Sequence, residues 1–175
     1  MSEENVELNR CLYAVFNRHD LDAFLACFDP QAEFHSIFAA VGGVTVYRGY
    51  EGLRRWNREL EESWGDEVSV EPEAYFDLGE QTLVFAVMHG RGRQSGLDTT
   101  MPFAQVASWR DGVCVRLWSY PDREDALGAL GVLREELESI APCPPRRTST
   151  SCARSSRTGN AETSVGPTGT TRTAS

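Results

Sequence analysis

The chain has 175 residues, with 17 basic against 26 acidic side chains and a net charge of −9. An acidic body repels phosphate backbones, so nucleic acid is not an expected partner. No run reaches the ~20 consecutive apolar residues of a membrane span. The opening MSEENVELNR is acidic where a secretion signal would be basic and then apolar, so the expectation is a cytoplasmic protein with no membrane attachment.

Charge and composition divide the chain near Ile140. Residues 1–140 hold 12 arginines against 25 acidic residues, whereas residues 141–175 hold five arginines and one glutamate. The second part contains no aromatic residue and no Leu, Ile or Met, so it cannot bury enough apolar surface to offset the entropy of ordering. One domain over 1–140 and a disordered Ser/Thr/Arg/Pro-rich tail over 141–175 are expected. The five cysteines, Cys11, Cys27, Cys114, Cys143 and Cys152, are odd in number and form no CxxC pair. That pattern argues for reduced thiols and against a disulfide framework or a zinc site, and no metal or cofactor is expected.

In chain order, Val6, Leu8, Leu12, Val15 and Phe16 recur at helical spacing. After Asp20, a good N-cap, Leu21, Phe24, Leu25 and Phe28 repeat the pattern in a second helix that Pro30 is expected to end. Ala32, Phe34 and Ser36 alternate with Glu33, His35 and Ile37 as in a strand. Tyr50–Trp64 reads as a third helix, with Leu53, Trp56, Leu60 and Trp64 on one stripe. Strands are expected over Val68–Tyr75, Thr82–Arg91, Thr99–Arg110 and Val113–Tyr120, the last two joined by an Asp111-Gly112 hairpin turn. Asp122 caps one C-terminal helix whose apolar face is Ala126, Leu127, Leu130, Leu133 and Leu137. Helices followed by strands, with no internal repeat, make the class α+β.

The run from Phe16 to Phe38, FNRHDLDAFLACFDPQAEFHSIF, resembles the N-terminal signature of the nuclear transport factor 2-like superfamily, in particular its SnoaL-like branch: an aromatic and Asn, then Asp-Leu-Asp, then Phe-x-x-Asp/Pro and a strand. The likeness continues through Tyr47-Arg48-Gly49-Tyr50-Glu51-Gly52 to Asp122–Leu127 and covers about residues 3–135. It implies a cone-shaped, curved antiparallel sheet with three N-terminal helices packed over an apolar cavity, plus a C-terminal helix. It also implies a small apolar or aromatic ligand in the cone and, commonly, a homodimer built on the outer face of the sheet.

Ketosteroid isomerases share this implied fold and use a Tyr in the first helix, an Asp base at the end of the first strand and an Asp in a late strand. Aligned on Asn17–Asp22 and Met101–Ala104, those positions fall on Leu12, Ser36 and Ala104, none of which can do that work. Steroid isomerisation is therefore disfavoured. The Asp-Arg-Asp set of the related epoxide hydrolases has no clear match, although Arg91, Asp98 and Arg116 are of the right types. SnoaL-type polyketide cyclases work by acid/base catalysis, for which His35 or His89 would be the proton carrier. His89 shares a strand face with Leu83, Phe85, Val87 and Arg91, and parity alone leaves open which face is concave. His19 falls in the turn between the first two helices and reads as surface.

Tyr47, Trp56, Phe103, Trp118 and Tyr120 are the expected shapers of the cavity, each offering a large apolar face. Two functions remain. One is a small-molecule-binding domain, with or without cofactor-independent cyclase, isomerase or hydrolase chemistry. The other is a dimerisation or protein-interaction module, suggested by Thr82–Met88 being apolar on both faces. A cone plugged by Trp56, Phe103 and Trp118 would favour the second.

Overall fold

The computed structural model describes residues 3–38, 46–140 and 142–143. Helix α1 (Glu3–Asn17) buries Val6, Asn9, Leu12, Tyr13 and Val15, while Leu8 and Phe16 are only half-buried at the margins of that stripe. Helix α2 (Leu21–Ala26) starts as expected, the Asp20 carboxylate accepting the Ala23 N–H at 3.0 Å.

The end of α2 differs from expectation. Pro30 does not stop the helix but lies inside strand β1 (Phe28–His35). Cys27 caps the helix, its N–H on the Phe24 carbonyl at 3.0 Å, and its own carbonyl takes the Cys114 N–H at 2.8 Å. Sheet pairing thus captures the chain before the proline is reached. Pro30 is exposed at a register shift between Phe28 and Glu33, where a missing N–H leaves no ladder bond open.

Strand β2 (Val46–Arg48) turns directly into helix α3 (Gly49–Trp64). The turn requires glycine: Gly49 has φ 63°, and a Cβ there would stand 2.8 Å from the Pro30 carbonyl oxygen. Leu53, Trp56 and Leu60 of α3 are buried as the helical stripe predicts. Strands β3 (Ser69–Asp77), β4 (Gln81–Arg91), β5 (Asp98–Arg110) and β6 (Val113–Tyr120) follow, close to the expected limits. Asp111 and Gly112 both have positive φ, 52° and 79°, as a type I′ hairpin demands.

The strand order is β2-β1-β6-β5-β4-β3. All pairings are antiparallel except β1 with β6, which run parallel with Phe34 opposite Leu117 and His35 opposite Trp118. The sheet is thus mostly antiparallel, in keeping with the expected curved antiparallel sheet, with this one parallel pair added. The parallel pair forms between strands nearly a whole domain apart in sequence, too far for any hairpin to set their direction.

Alternation along the strands feeds two cores. Val84, Ala86 and Met88 of β4, with Phe103 of β5 and Leu117 of β6, face α1–α3 and form the inner core of the cone. Leu83 and Phe85 of β4, with Ala104 and Val106 of β5, face the opposite side. There they meet helix α4 (Arg123–Leu130) and helix α5 (Arg134–Ser139). The single expected C-terminal helix is therefore two. Gly131, left-handed at φ 65°, caps α4 with its N–H 3.2 Å from the Gly128 carbonyl, and the chain changes direction there.

Beyond Ile140, Cys143 still pairs with Tyr75, its N–H on the Tyr75 carbonyl at 2.8 Å, so contact with the sheet outlasts the expected domain limit. The rest of the 141–175 segment, for which disorder was expected, lies outside the described residues. Cys27, Cys114 and Cys143 are free thiols, but Cys11 is disulfide-bonded, which corrects the all-reduced expectation at that position. Among the described residues no helix is long and apolar enough to cross a membrane.

Candidate functional site

The inner face of the sheet and the three N-terminal helices enclose a small cavity. Leu12 and Tyr13 of α1, Phe34 of β1, Trp56 of α3 and Phe103 and Gln105 of β5 line it. Its volume is about 40 Å³, far below the roughly 300–1,000 Å³ of pockets that hold drug-sized molecules. Aromatic rings fill most of the cone: Phe24 stacks on Trp56 with centroids 5.7 Å apart, Phe34 meets Trp56 edge-on at 4.7 Å, and Phe38 meets Phe103 edge-on at 4.8 Å.

One polar pole stands in this apolar wall. The Tyr13 hydroxyl donates to Gln105 Oε1 at 2.5 Å, and Gln105 Nε2 donates to Ser119 Oγ at 2.8 Å. Burial, reinforced by nearby Tyr75 and Cys114, pushes the Tyr13 hydroxyl well above the ordinary tyrosine range, so it stays neutral and acts as donor and acceptor only. A second buried contact braces the wall, Trp56 Nε1 donating to Ser36 Oγ at 2.9 Å. Among the described residues lining the cavity there is no His, Asp or Glu.

Tyr13 and Gln105 were missed from sequence, and each lies one residue from an aligned position. Leu12 does line the cavity, but the phenol belongs to its neighbour. Ala104 points to the outer core, and Gln105 takes the inward position. A signal existed: Gln105 is a lone amide in the apolar run FAQVASW, and Val6, Asn9 and Tyr13 share a helical spacing once polar residues are allowed on the buried stripe.

The expected site residues do not assemble in one place. Trp56 and Phe103 line the cavity. Tyr47 is buried in the inner core between β2 and α3, its hydroxyl on Glu59 Oε2 at 2.5 Å, and it does not reach the cavity wall. Trp118 and Tyr120 have the opposite strand parity from the cavity-lining Leu117 and lie on the outer face, which corrects their placement in the cone.

His35 goes with them. Opposite Trp118 in register, its ring stacks on that indole at 3.7 Å and 8°. Trp118 also stacks with Tyr120 at 6.1 Å, and the Arg116 guanidinium lies 4.3 Å over its ring. Glu33 contacts His35 Nε2 and pairs with Arg48 at 3.2 Å and Arg116 at 3.8 Å. Hydrogen bonding to His35, aided by both arginines, holds the Glu33 carboxyl below the usual range. His89 is on the outer face of β4, in the parity of Leu83 and Phe85, with Glu71 at 3.3 Å. Both histidines are thus across the sheet from the cavity because inward and outward residues alternate, and each falls on the outward beat. Among the described residues no group of three or more His, Cys, Asp or Glu could hold a metal ion.

The comparisons agree with this architecture. A profile of the SnoaL-like domain matches residues 10–117. Among curated proteins, no sequence matches. Solved structures that superpose on the chain include TerC co-crystallised with polyporic acid, at 20% identity and TM-score 0.61, covering 73% of this chain and 97% of that one. A protein of ketosteroid isomerase-like fold from Catenulispora acidiphila, in complex with trimethylamine, superposes at 16% identity and TM-score 0.59, covering 74% and 95%. A candidate polyketide cyclase from Xanthomonas campestris does so at 18% identity and TM-score 0.59, covering 73% and 96%. At such identities the likeness concerns the fold. With the profile spanning more than half of the chain and the cone in place, the protein belongs to the SnoaL-like domain family.

Proposed function

We propose that the domain binds one compact, mainly apolar or aromatic molecule in its cone, oriented by a single polar group against Tyr13 and Gln105. The observation that carries this reading is the Tyr13–Gln105 hydrogen bond inside an otherwise apolar wall. With its proton on Gln105, the Tyr13 oxygen keeps a lone pair to accept, and Gln105 Nε2 keeps one N–H to donate. A ligand hydroxyl can use both. A volume of about 40 Å³ excludes a tetracycle and admits a single ring only when the lining side chains move apart. No His, Asp or Glu is among the described residues that line the cavity, so the reading is binding without proton transfer by His35 or His89. The relatives bound to polyporic acid and trimethylamine support a cone that accepts small molecules.

A thermal-shift comparison of phenol, toluene and a steroid against the full chain tests it, because a ligand specific to the folded state raises the apparent melting temperature. The expected result is a saturable shift with phenol, a smaller one with toluene and none with the steroid, and loss of the phenol preference in Tyr13→Phe. No shift from any single-ring compound, or a phenol shift untouched by Tyr13→Phe, overturns the proposal. His35→Ala and His89→Ala leave the shift unchanged.

A second reading, assembly of two copies through the outer sheet face, rests on the half-buried stack of His35, Trp118 and Tyr120, of which only Tyr120 is among the described residues packed against the α4–α5 cluster. The two-faced apolar run of β4 no longer supports it, since α4 and α5 cover Leu83 and Phe85. Sedimentation of the chain and of Trp118→Arg decides: a dimer that the substitution dissociates supports the reading, and a monomer in both removes it.

A further inference from the structure

A second cavity lies on the other side of the sheet, and it is much the larger. Its floor is Phe76 of β3 and Phe85 of β4, meeting edge-on at 5.3 Å. Leu127 of α4, Leu137 of α5 and Ile140 complete the apolar wall, and the volume is about 370 Å³, inside the roughly 300–1,000 Å³ of pockets that hold small ligands. The opening exists because Gly131 splits what would otherwise be one helix. Leu127 of one short helix and Leu137 of the other both border the phenylalanines, and the space between them stays open.

The mouth carries charge. Arg123 at the start of α4 lies 4.4 Å over the Phe85 ring and pairs with Glu73 at 2.5 Å, and Arg134 at the start of α5 pairs with Glu124. Among the described lining residues Glu138 is the one acid, and Glu73 and Glu124, the partners of the two arginines, are not in the lining, so the guanidiniums of Arg123 and Arg134 are the cationic groups at the mouth of the cleft. Each guanidinium has five N–H donors, and among the described residues each makes a single hydrogen bond, so both keep donors for a further anion. Their salt bridges are solvent-exposed and weak, and a ligand carboxylate can share or displace them.

We propose that this cleft is a binding site for an amphipathic monocarboxylate of medium-chain size, its apolar body over Phe76 and Phe85 and its carboxylate between Arg123 and Arg134. The chain's own residues 144–175 are poor occupants by chemistry, since they contain no Leu, Ile, Met or aromatic side chain to fill an apolar cleft. The site is separate from the cone and does not depend on the reading of the cone.

Calorimetric titration of the full chain with sodium decanoate, and with 1-decanol as the uncharged analogue, tests the proposal, with amide chemical shifts to locate the ligand. Decanoate is expected to bind one per chain, to move the resonances of α4 and α5, and to bind about ten-fold more tightly than decanol. The exposed pair Arg123→Gln and Arg134→Gln, which removes no core side chain, is expected to weaken decanoate about ten-fold and leave decanol unaffected. Tyr13→Phe in the cone leaves decanoate affinity unchanged, which separates failure of this site from failure of the cone. No decanoate binding, shifts confined to the cone, equal affinity for decanol, or indifference to the double arginine variant overturns the proposal. A dimer that decanoate dissociates would give the cleft to a second copy and overturn it as well.

Discussion

The two faces of one sheet are finished in different ways. On the inner face three helices bring Phe24, Phe34, Phe38, Trp56 and Phe103 together so closely that about 40 Å³ remains, with one hydrogen-bonded polar pole. On the outer face two short helices cover Phe76, Phe85, Ala104 and Val106 and leave about 370 Å³ under a charged rim. The same strands, β4 above all, supply both. A densely packed face contributes most to stability, and a loosely covered one has room for a guest.

That contrast can be broken most directly by truncating one phenylalanine on each side. Phe34→Ala should cost about 3–5 kcal/mol in chemical denaturation, because the rings around it cannot collapse into the hole. Phe85→Ala should cost clearly less, since its site already borders open space and a new cavity adds little. Equal losses would mean that the outer cleft closes in solution.

Smaller effects sharpen the picture. Tyr13→Phe leaves the Gln105 carbonyl oxygen buried without its donor and should cost about 1–3 kcal/mol, whereas adding Gln105→Leu should recover part of the loss. A double-mutant cycle measures the coupling, and a purely additive pair would mean that the pole is not a unit. Gly131→Ala, where a Cβ would meet nothing within 4 Å but φ is 65°, should cost about 1 kcal/mol from backbone strain alone.

The least effect expected is on the acid limb. Glu33, through its hydrogen bond with His35 and then its arginine neighbours, and Glu59, through the Tyr47 hydroxyl and then Arg55, both titrate below the usual carboxylate range. Folded values below the unfolded value of about 4.3 mean that the stability they add is fully present above that pH. It is lost as the pH falls through the lower folded values. Glu33→Gln and Glu59→Gln should each flatten the decline of stability below about pH 4.3, and an unchanged slope would show that the ion pairs contribute nothing net.

Much of this architecture was legible in the chain. Asp20, the α3 stripe and Asp111-Gly112 each act over a few residues, so local chemistry placed the elements they begin, support or join. The candidate site was less legible because it depends on which side of a strand faces the helices. A shift of one residue separates Leu12 from Tyr13 and Ala104 from Gln105, and the same parity carries His35, His89, Trp118 and Tyr120 out of the cone.

The amino-acid sequence by itself determined an acidic α+β domain, the order of its helices and strands apart from β2 and the split between α4 and α5, its family signature and the break in composition after Ile140, because these follow from spacing, caps, turns and charge along the chain. Only the tertiary structure decided that β1 runs parallel to β6, that Tyr13 meets Gln105 across 92 positions, and that Gly131 leaves a cleft beneath α4 and α5. Those outcomes depend on which distant surfaces pack together, and no local pattern encodes that choice.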